Sequence, residues 1–490
     1  MPKKVLKILF TSAEVAPYAK TGGLGDVAGS LPKALAQLGH DVRIVLPKYK
    51  QITEGDYLID YPVEMNHHLE TGIIRQTKLK GRNYEVPVYL IDNYKYFYRD
   101  GIYGFADEAE RYNFFMKALL GMLPRINFQP HLIHCNDWQS ALIPLFLQTK
   151  YAEDPFYQRI ATLFTIHNLQ YQGVFPKHTL RLIGLGDEFF TLERLEFYGE
   201  INFMKAGILF ADIINTVSKK YALEIQTPEY GQRMDGLLRK RAQDLYGILN
   251  GIDYDEFNPE TDPHIYKNYS IETIDLKREN KYGLQRETGL PVGNTPLIGV
   301  ITRLVDQKGL DLISDIFDEL MATGSQFILL GSGEDYYQKL FAEFKMKYPQ
   351  QAAINLGFNP VLAKKIYAGS DMFLMPSRFE PCGLAQLISL RYGTIPIVRA
   401  TGGLADTIQD YNEKNREGNG FSFKAYEPTA LLDAIKRALA IYLEQPEQWR
   451  RLMVNGMKSN FSWERSAQQY AELYEKAIHK RLSSLYRIVV

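Results

Sequence analysis

The chain has no net charge to explain. Fifty-seven Lys and Arg balance fifty-seven Asp and Glu over 490 residues, giving a formal charge of +0. Without a basic excess the electrostatic footprint of a nucleic-acid binder is missing, so no nucleic-acid partner is expected. Cysteine is scarce: Cys135 and Cys382 are the only two. That excludes a disulfide framework and suits a reducing compartment. Long apolar runs are absent too. No window approaches the roughly 18 uninterrupted apolar residues of a membrane span. Near the start, Lys7 interrupts Val5–Phe10 and Glu14 follows soon after, so a secretory core is missing. A soluble protein is expected, cytoplasmic or stromal, with no membrane partner. Disorder does not fit a chain that is 13% aromatic and uncharged overall. No repeat of roughly 20–50 residues suggests a solenoid.

What is present is a rhythm. Short runs that are mostly apolar throughout alternate with amphipathic stretches. The runs are Lys7–Ala13, Val42–Pro47, Val86–Ile91, Leu132–Asn136, Ala161–Ile166, Asp212–Val217 and Tyr246–Leu249. This is the pattern of parallel strands covered on both faces. Gly25–Leu38 places Val27, Leu31, Ala34, Leu35 and Leu38 on one helical face, and Gly39 supplies a stop. Ile252–Pro291 is polar and breaks the rhythm, which places a domain linker near its start. The rhythm resumes with Leu297–Thr302, Gln326–Leu330, Ala353–Leu356, Met372–Met375, Ile395–Val398 and Gly420–Phe423. The chain then reads as helical from Pro428 to about Tyr486. A single core stops growing at about 250–300 residues. The expected fold is therefore α/β: two doubly wound, Rossmann-like domains facing across a cleft, with ligands at strand carboxyl ends.

One hexapeptide pattern occurs twice, as Thr21-Gly22-Gly23-Leu24-Gly25-Asp26 and as Thr401-Gly402-Gly403-Leu404-Ala405-Asp406. Each opens a helical stretch, where glycines allow close backbone approach and free N–H groups suit an anion. A dinucleotide fingerprint is disfavoured. Gly23–Ala28 lies too far from the preceding strand, and Tyr336 spoils the Gly331-Ser332-Gly333 candidate. Arg303 and Lys308 follow a strand and suit a diphosphate, the guanidinium by bidentate bonds and the ammonium as a mobile charge. Glu380 follows another strand and can accept hydroxyl bonds, while Gly383 exposes an N–H. Cys382 reads as a small buried residue, with no base evident beside it. His167 ends the strand Ala161–Ile166, where either a core or a ligand-facing role is open. His134 and Cys135 would point to opposite strand faces, and Asp253 with Asp255 sits in a polar linker, so no metal site is expected.

Together these stretches resemble the bacterial glycogen synthases and plant starch synthases. The resemblance rests on Lys20–Val27, Thr165–Gly173, Leu249–Asp253, Arg303–Asp311, Arg378–Leu387 and Thr401–Asp406, in order along nearly the whole chain. It implies the two-Rossmann-domain glycosyltransferase architecture called GT-B. Residues 1–250 would form the acceptor-side domain, 251–465 the nucleotide-sugar domain, and 466–490 a helix crossing back to the first. It implies transfer of glucose from ADP-glucose, or UDP-glucose in some relatives, to the non-reducing end of an α-1,4-glucan or malto-oligosaccharide primer. Configuration would be retained, with no metal and no cofactor; the oligomeric state is left open.

By position, the resemblance puts Lys20, Gly22 and Gly23 at the donor's phosphates and sugar, with Asp26 supporting them. Arg303 and Lys308 would stabilise the leaving nucleotide. Glu380, with the N–H groups of Cys382 and Gly383 and the neighbouring Leu384, would bind glucose. His167 and Asn250 would lie on the sugar side, Phe358 against the base, and Thr401, Gly402 and Gly403 at the phosphates. No carboxylate nucleophile is evident, so front-face substitution assisted by the departing phosphate is expected. Some positions depart from the family. Ile388 stands where related transferases carry a second Glu. The usual His-Asp-Trp-His stretch reads Asn136-Asp137-Trp138-Gln139, Arg233 replaces a glycine, and Glu108 stands where Asn is common. A sucrose-type synthase, a pyridoxal-dependent phosphorylase and a catalytically dead glucan-binding protein are the competing readings. The intact Lys20, His167, Arg303, Lys308 and Glu380 disfavour the last.

Overall fold

The computed structural model describes residues 5–81 and 84–488. Expectations for residues 1–4 and 489–490 fall outside the described residues. The chain divides into two compact units. One runs to Gly251 and resumes at Trp463; the other is Ile252–Ser462. The last helix, Trp463–Ile488, belongs to the first unit and starts three residues before the boundary that the resemblance implies.

The first unit is built on a nine-stranded sheet. Its strands are β1 (Lys7–Thr11), β2 (Asp41–Pro47), β3 (Asp56–Met65), β4 (His68–Lys80), β5 (Glu85–Asp92), β6 (Leu132–Asn136) and β7 (Ala161–Ile166). A small separate sheet holds β8 (Val174–Pro176), β9 (Glu196–Phe197) and β10 (Glu200–Asn202), and β11 (Ile213–Thr216) and β12 (Leu245–Gly247) complete the large one. The order β12-β11-β7-β6-β1-β2-β5-β4-β3 is parallel up to β5. Every residue of β6 and of β7 is buried, which explains why neither run carries an Asp, Glu, Lys or Arg. The hairpin β3–β4 is antiparallel and escapes the sequence reading. Its residues alternate between buried and exposed because one face meets solvent.

The helix α1 (Gly23–Gln37) follows β1 and buries Leu24, Val27, Ala28, Leu31 and Leu35 along one stripe. Burial of each such large side chain is worth about 1.5–3 kcal/mol. Asp26 in its first turn suits the positive end of the helix dipole. Gly39, at φ 92°, ends the stretch in the left-handed region.

The final helix packs on α1 and β7. A directional chain of buried hydrogen bonds ties it down. Asn215 Nδ2 donates to the Tyr470 hydroxyl at 3.1 Å, and Thr165 Oγ1 donates to Asn215 Oδ1 at 2.5 Å. Thr165 therefore accepts from His134 Nε2 at 2.6 Å, which leaves His134 Nδ1 to accept from Tyr474 at 2.8 Å. Burial holds His134 well below the usual imidazole range, so the ring is neutral.

The second unit has a six-stranded, wholly parallel sheet: β13 (Leu297–Leu304), β14 (Gln326–Gly333), β15 (Ala352–Leu356), β16 (Met372–Met375), β17 (Ile395–Arg399) and β18 (Phe421–Phe423). Its order is β15-β14-β13-β16-β17-β18. Direction reverses between β13 and β16, and in the first unit between β1 and β6. Both are topological switch points, where doubly wound sheets bind ligands. Among the described residues no helix is long and apolar enough to cross a membrane.

Candidate functional site

In the second unit the loops after β13 and β16 are locked together. Gly309 sits at φ 68°, and a Cβ there would stand 2.1 Å from the Pro376 carbonyl oxygen. Only glycine allows that approach. Arg378 N donates to the Gln307 carbonyl at 2.9 Å, and Gln307 Nε2 to that of Phe379 at 3.1 Å. These contacts bring Lys308 Nζ to 2.7 Å from Glu380 Oε2, with the Ser377 hydroxyl donating to the same oxygen at 3.1 Å. The pair is largely shielded: the side chains are 17% and 8% exposed. Both line a cavity of about 170 Å³ with Arg303, Gly383 and Leu384. Arg303 is exposed, and among the described residues its guanidinium has no hydrogen bond or ion pair. One unpaired cation thus stands beside one cation balanced by a carboxylate.

The Thr401–Gly403 turn supports that loop from behind. Gly403 N donates to the Glu380 carbonyl at 3.0 Å, and a Cβ at Gly403 would meet the Cys382 carbonyl at 2.1 Å. Its N–H is therefore used within the unit, and the turn's visible work is to set the backbone of Glu380–Cys382. Cys382 is buried, as expected of a structural thiol. Ile388, where related transferases carry an acid, is buried in the core. Phe358 is 85% exposed just beyond the edge strand β15 and does not line the cavity.

In the first unit, Lys20 Nζ lies 2.5 Å from Asp26 Oδ1. Burial raises the Asp26 carboxyl, and the Lys20 ammonium opposes that rise. Gly22 has open space where a Cβ would stand. Its N–H is not free, however: it donates to Glu14 Oε2 at 3.2 Å.

His167 ends β7 and is buried. Asn136 Nδ2 donates to the Thr11 carbonyl at 2.9 Å, which turns Asn136 Oδ1 toward His167 Nε2, 2.8 Å away. Nε2 must then hold the proton, leaving Nδ1 an acceptor. Burial pushes the His167 imidazole down to about 3, so it acts as a neutral hydrogen-bonding group near neutral pH. The backbone N–H of His167 donates to Asp137 Oδ1 at 2.8 Å. Asp137 adopts φ 53°, in the left-handed region, immediately after β6. Burial pushes its carboxyl up to about 7, with the charge of Glu14 adding to the rise. Asn250 is buried, and among the described residues its Oδ1 has no hydrogen-bond partner, which leaves it open to a donor such as a sugar hydroxyl.

Arg303, Lys308, Glu380, Gly383 and Leu384 thus share one cavity, with Thr401, Gly402 and Gly403 bracing its wall. Lys20, Gly22, Gly23 and Asp26 share the α1 turn. Sequence reasoning noted Asn136 and Asp137 only as a departure from the family, and it missed Glu14 and the roles of Asn136, Asp137 and Thr11. The usable signal was topological: all four lie at or just past the carboxyl ends of β1 and β6, the strands flanking the switch point. Arg233, noted as replacing a glycine, sits at φ 66°, a conformation glycine would adopt more easily. Among the described residues no three His, Cys, Asp or Glu side chains are grouped to hold a metal.

Known proteins resemble this chain over nearly its whole length. Residues 7–240 match the family described as starch synthase catalytic domain, and residues 284–452 match glycosyl transferases group 1. A glycogen synthase of Moorella thermoacetica is 61% identical, covering 99% of each chain. One from Thermotoga maritima is 48% identical over 97% of this chain and 99% of its own. The catalytic domain of starch synthase IV from Arabidopsis thaliana, solved with ADP and acarbose bound, superposes with a TM-score of 0.91 at 35% identity, covering 97% of this chain and 100% of its own. The fold is GT-B, and the chain belongs to the glycogen and starch synthase family of glycosyltransferases.

Proposed function

We propose that the protein is an ADP-glucose:1,4-α-D-glucan 4-α-D-glucosyltransferase, lengthening an α-1,4-glucan at its non-reducing end with retention of configuration. One observation carries the reading: at the switch point of the second unit an unpaired Arg303 and a carboxylate-balanced Lys308 line the same cavity. Cleavage of a sugar–diphosphate bond puts negative charge on the departing phosphate. Two preset cations stabilise that charge without reorganising as it forms, which is the main source of acceleration in such a step. They supply the neutralisation that a divalent ion gives in other phosphate chemistry, so the proposed reaction needs no metal and no cofactor.

Glu380 then has two tasks. It holds Lys308 in place and offers its remaining acceptor capacity to sugar hydroxyls. Lys20, with Asp26 steering its ammonium, is assigned to the donor's phosphates. The His167 Nδ1 lone pair and Asn250 Oδ1 are assigned to sugar hydroxyls. A neutral His167 does not serve as a proton donor at neutral pH, which agrees with a step in which the departing phosphate takes the acceptor's proton. The ADP in the Arabidopsis relative supports adenine as the donor base.

The test is a competition. The protein is incubated with labelled ADP-glucose or UDP-glucose and a glycogen primer, and the products are digested and sized. Label from ADP-glucose entering long α-1,4 chains is expected. Label found only in a disaccharide, or a preference for UDP-glucose, overturns the corresponding part. Trapping of a glucosyl–enzyme on a side chain would refute the front-face step.

A further inference from the structure

Glu14 belongs to none of the groups assigned so far, yet it is the most heavily hydrogen-bonded carboxylate near the Lys20–Gly23 turn. It lies in the loop after β1 and is 4% exposed. Oε2 accepts the backbone N–H groups of Thr21 at 2.5 Å and Gly22 at 3.2 Å. Oε1 accepts the hydroxyls of Thr21 and Tyr103, each at 2.7 Å. The backbone of Glu14 is itself pinned, because the Ser12 hydroxyl donates to its carbonyl at 2.6 Å and accepts its N–H at 3.2 Å. Among the described residues no Lys or Arg forms an ion pair with it.

A buried anion without a cation, satisfied by four donors, is a geometric device. Charge alone would not place a carboxylate beside a turn meant for phosphates. What it does is consume the N–H groups that would otherwise let the turn relax, and so hold the turn in one shape. Tyr103 extends the brace. Its ring lies against Tyr112, and the neighbouring buried Arg111 donates to the carbonyls of Tyr96 at 3.1 Å and Ile102 at 2.8 Å. The segment from Tyr96 to Tyr112 is thereby tied to itself, and Glu14 joins the turn to it.

We propose that Glu14 is a positioning residue for the nucleotide-sugar donor, fixing Thr21–Gly22 so that Lys20 and the Gly23 backbone meet the diphosphate in one geometry. The proposal rests on the donor assignment made above for Lys20 and Gly23. Glu14→Gln keeps the shape and can keep the bonds from the Thr21 and Gly22 N–H groups, but it removes the charge and turns an amide N–H₂ toward the Thr21 and Tyr103 hydroxyls, which must reverse from donors to acceptors. Tyr103→Phe removes one donor from Glu14 while leaving the turn's own residues intact.

The experiment measures donor KM, glucan KM, kcat and melting temperature on the full chain for both variants, with Lys308→Ala in parallel. A lost charge-assisted hydrogen bond corresponds to about tenfold or more. Glu14→Gln is therefore expected to raise donor KM about tenfold and lower kcat, with glucan KM within about twofold. Tyr103→Phe should move donor KM about threefold in the same direction, and it alone carries the test if Glu14→Gln does not fold. If both variants keep the unaltered donor KM and kcat while Lys308→Ala is inactive, the inference is wrong and the functional reading stands. If Lys308→Ala is fully active as well, the functional reading itself fails. If Tyr103→Phe lowers the melting temperature but leaves donor KM alone, the brace is merely structural and the proposal is overturned.

Discussion

Lys308→Met keeps the aliphatic stem of the side chain and removes the ammonium that sits 2.7 Å from Glu380 Oε2. What it leaves behind sets the magnitude. Stranding one partner of a fully buried ion pair costs about 3–5 kcal/mol. Here Lys308 is 17% exposed and Glu380 8%, so water reaches one side of the pair. The Ser377 hydroxyl also stays on Glu380 at 3.1 Å. A loss of about 1.5–3 kcal/mol is therefore expected for the second unit. Adding Glu380→Gln removes the stranded charge and should recover most of that loss. Urea unfolding of the two single variants and the double variant gives a coupling of at least about 1 kcal/mol on this reasoning. Turnover should behave differently. Lys308→Met is expected to lose about a hundredfold or more in kcat, and the double variant should not regain it, because the phosphate still lacks its cation. Additive stability losses would show that the pair is not a pair. Recovery of turnover in the double variant would show that Lys308 serves only to neutralise Glu380.

Acid should act with opposite signs on buried groups of the first unit. His134 lies well below its usual range and His167 near 3, so both stay neutral in the native state while the unfolded chain takes up protons below about 6.5. Their contribution is present above that pH and lost as pH falls. Asp137, pushed up to about 7, has the opposite sign: it favours the native state below about 4 and loses that contribution as pH rises toward 7. Asp26, Glu108 and Asp212, raised by burial, share the sign of Asp137, so the clean measurement is a difference: Asp137→Asn should steepen the loss of stability between about pH 6 and about 4 by about 1.4 kcal/mol per pH unit, and an unchanged slope would contradict the assignment. Tyr474→Phe strands His134 Nδ1 in a dry site, and a loss of about 1–3 kcal/mol is expected by chemical denaturation. A neutral substitution would break the proposed anchoring of the final helix. Arg233→Gly relieves a left-handed backbone at φ 66° but frees the unfolded chain, so a net gain of about 0.5–1 kcal/mol should appear in the melting curve.

How far the sequence reaches is seen by setting the β3–β4 hairpin against β7. Ala161–Ile166 is apolar except for Thr162 and Thr165 because every position is buried, so composition alone announces it. Asp56–Lys80 has the same backbone but one wet face, and its mixture of Tyr, Glu, Thr and Lys resembles a loop unless alternation is looked for. The site divides in the same manner. Arg303, Lys308 and Glu380 were legible because doubly wound topology makes the loops after certain strands meet, and these loops carry charged residues where apolar runs stop. Nothing local distinguishes Glu14 from the many other acids of the chain. Its meaning lies in four donors drawn from Thr21, Gly22 and Tyr103.

The state of His167 shows why such roles stay hidden. Its protonated nitrogen is chosen by Asn136, and Asn136 is oriented by a backbone carbonyl at Thr11. A carbonyl belongs to every residue, so no side-chain pattern could signal it. It becomes informative only because β1 and β6 pair in parallel register, with Thr11 opposite Cys135. The free acceptor on His167, assigned above to a sugar hydroxyl, is thus a property of the sheet, carried from one strand to the next through an amide that can point in only one direction.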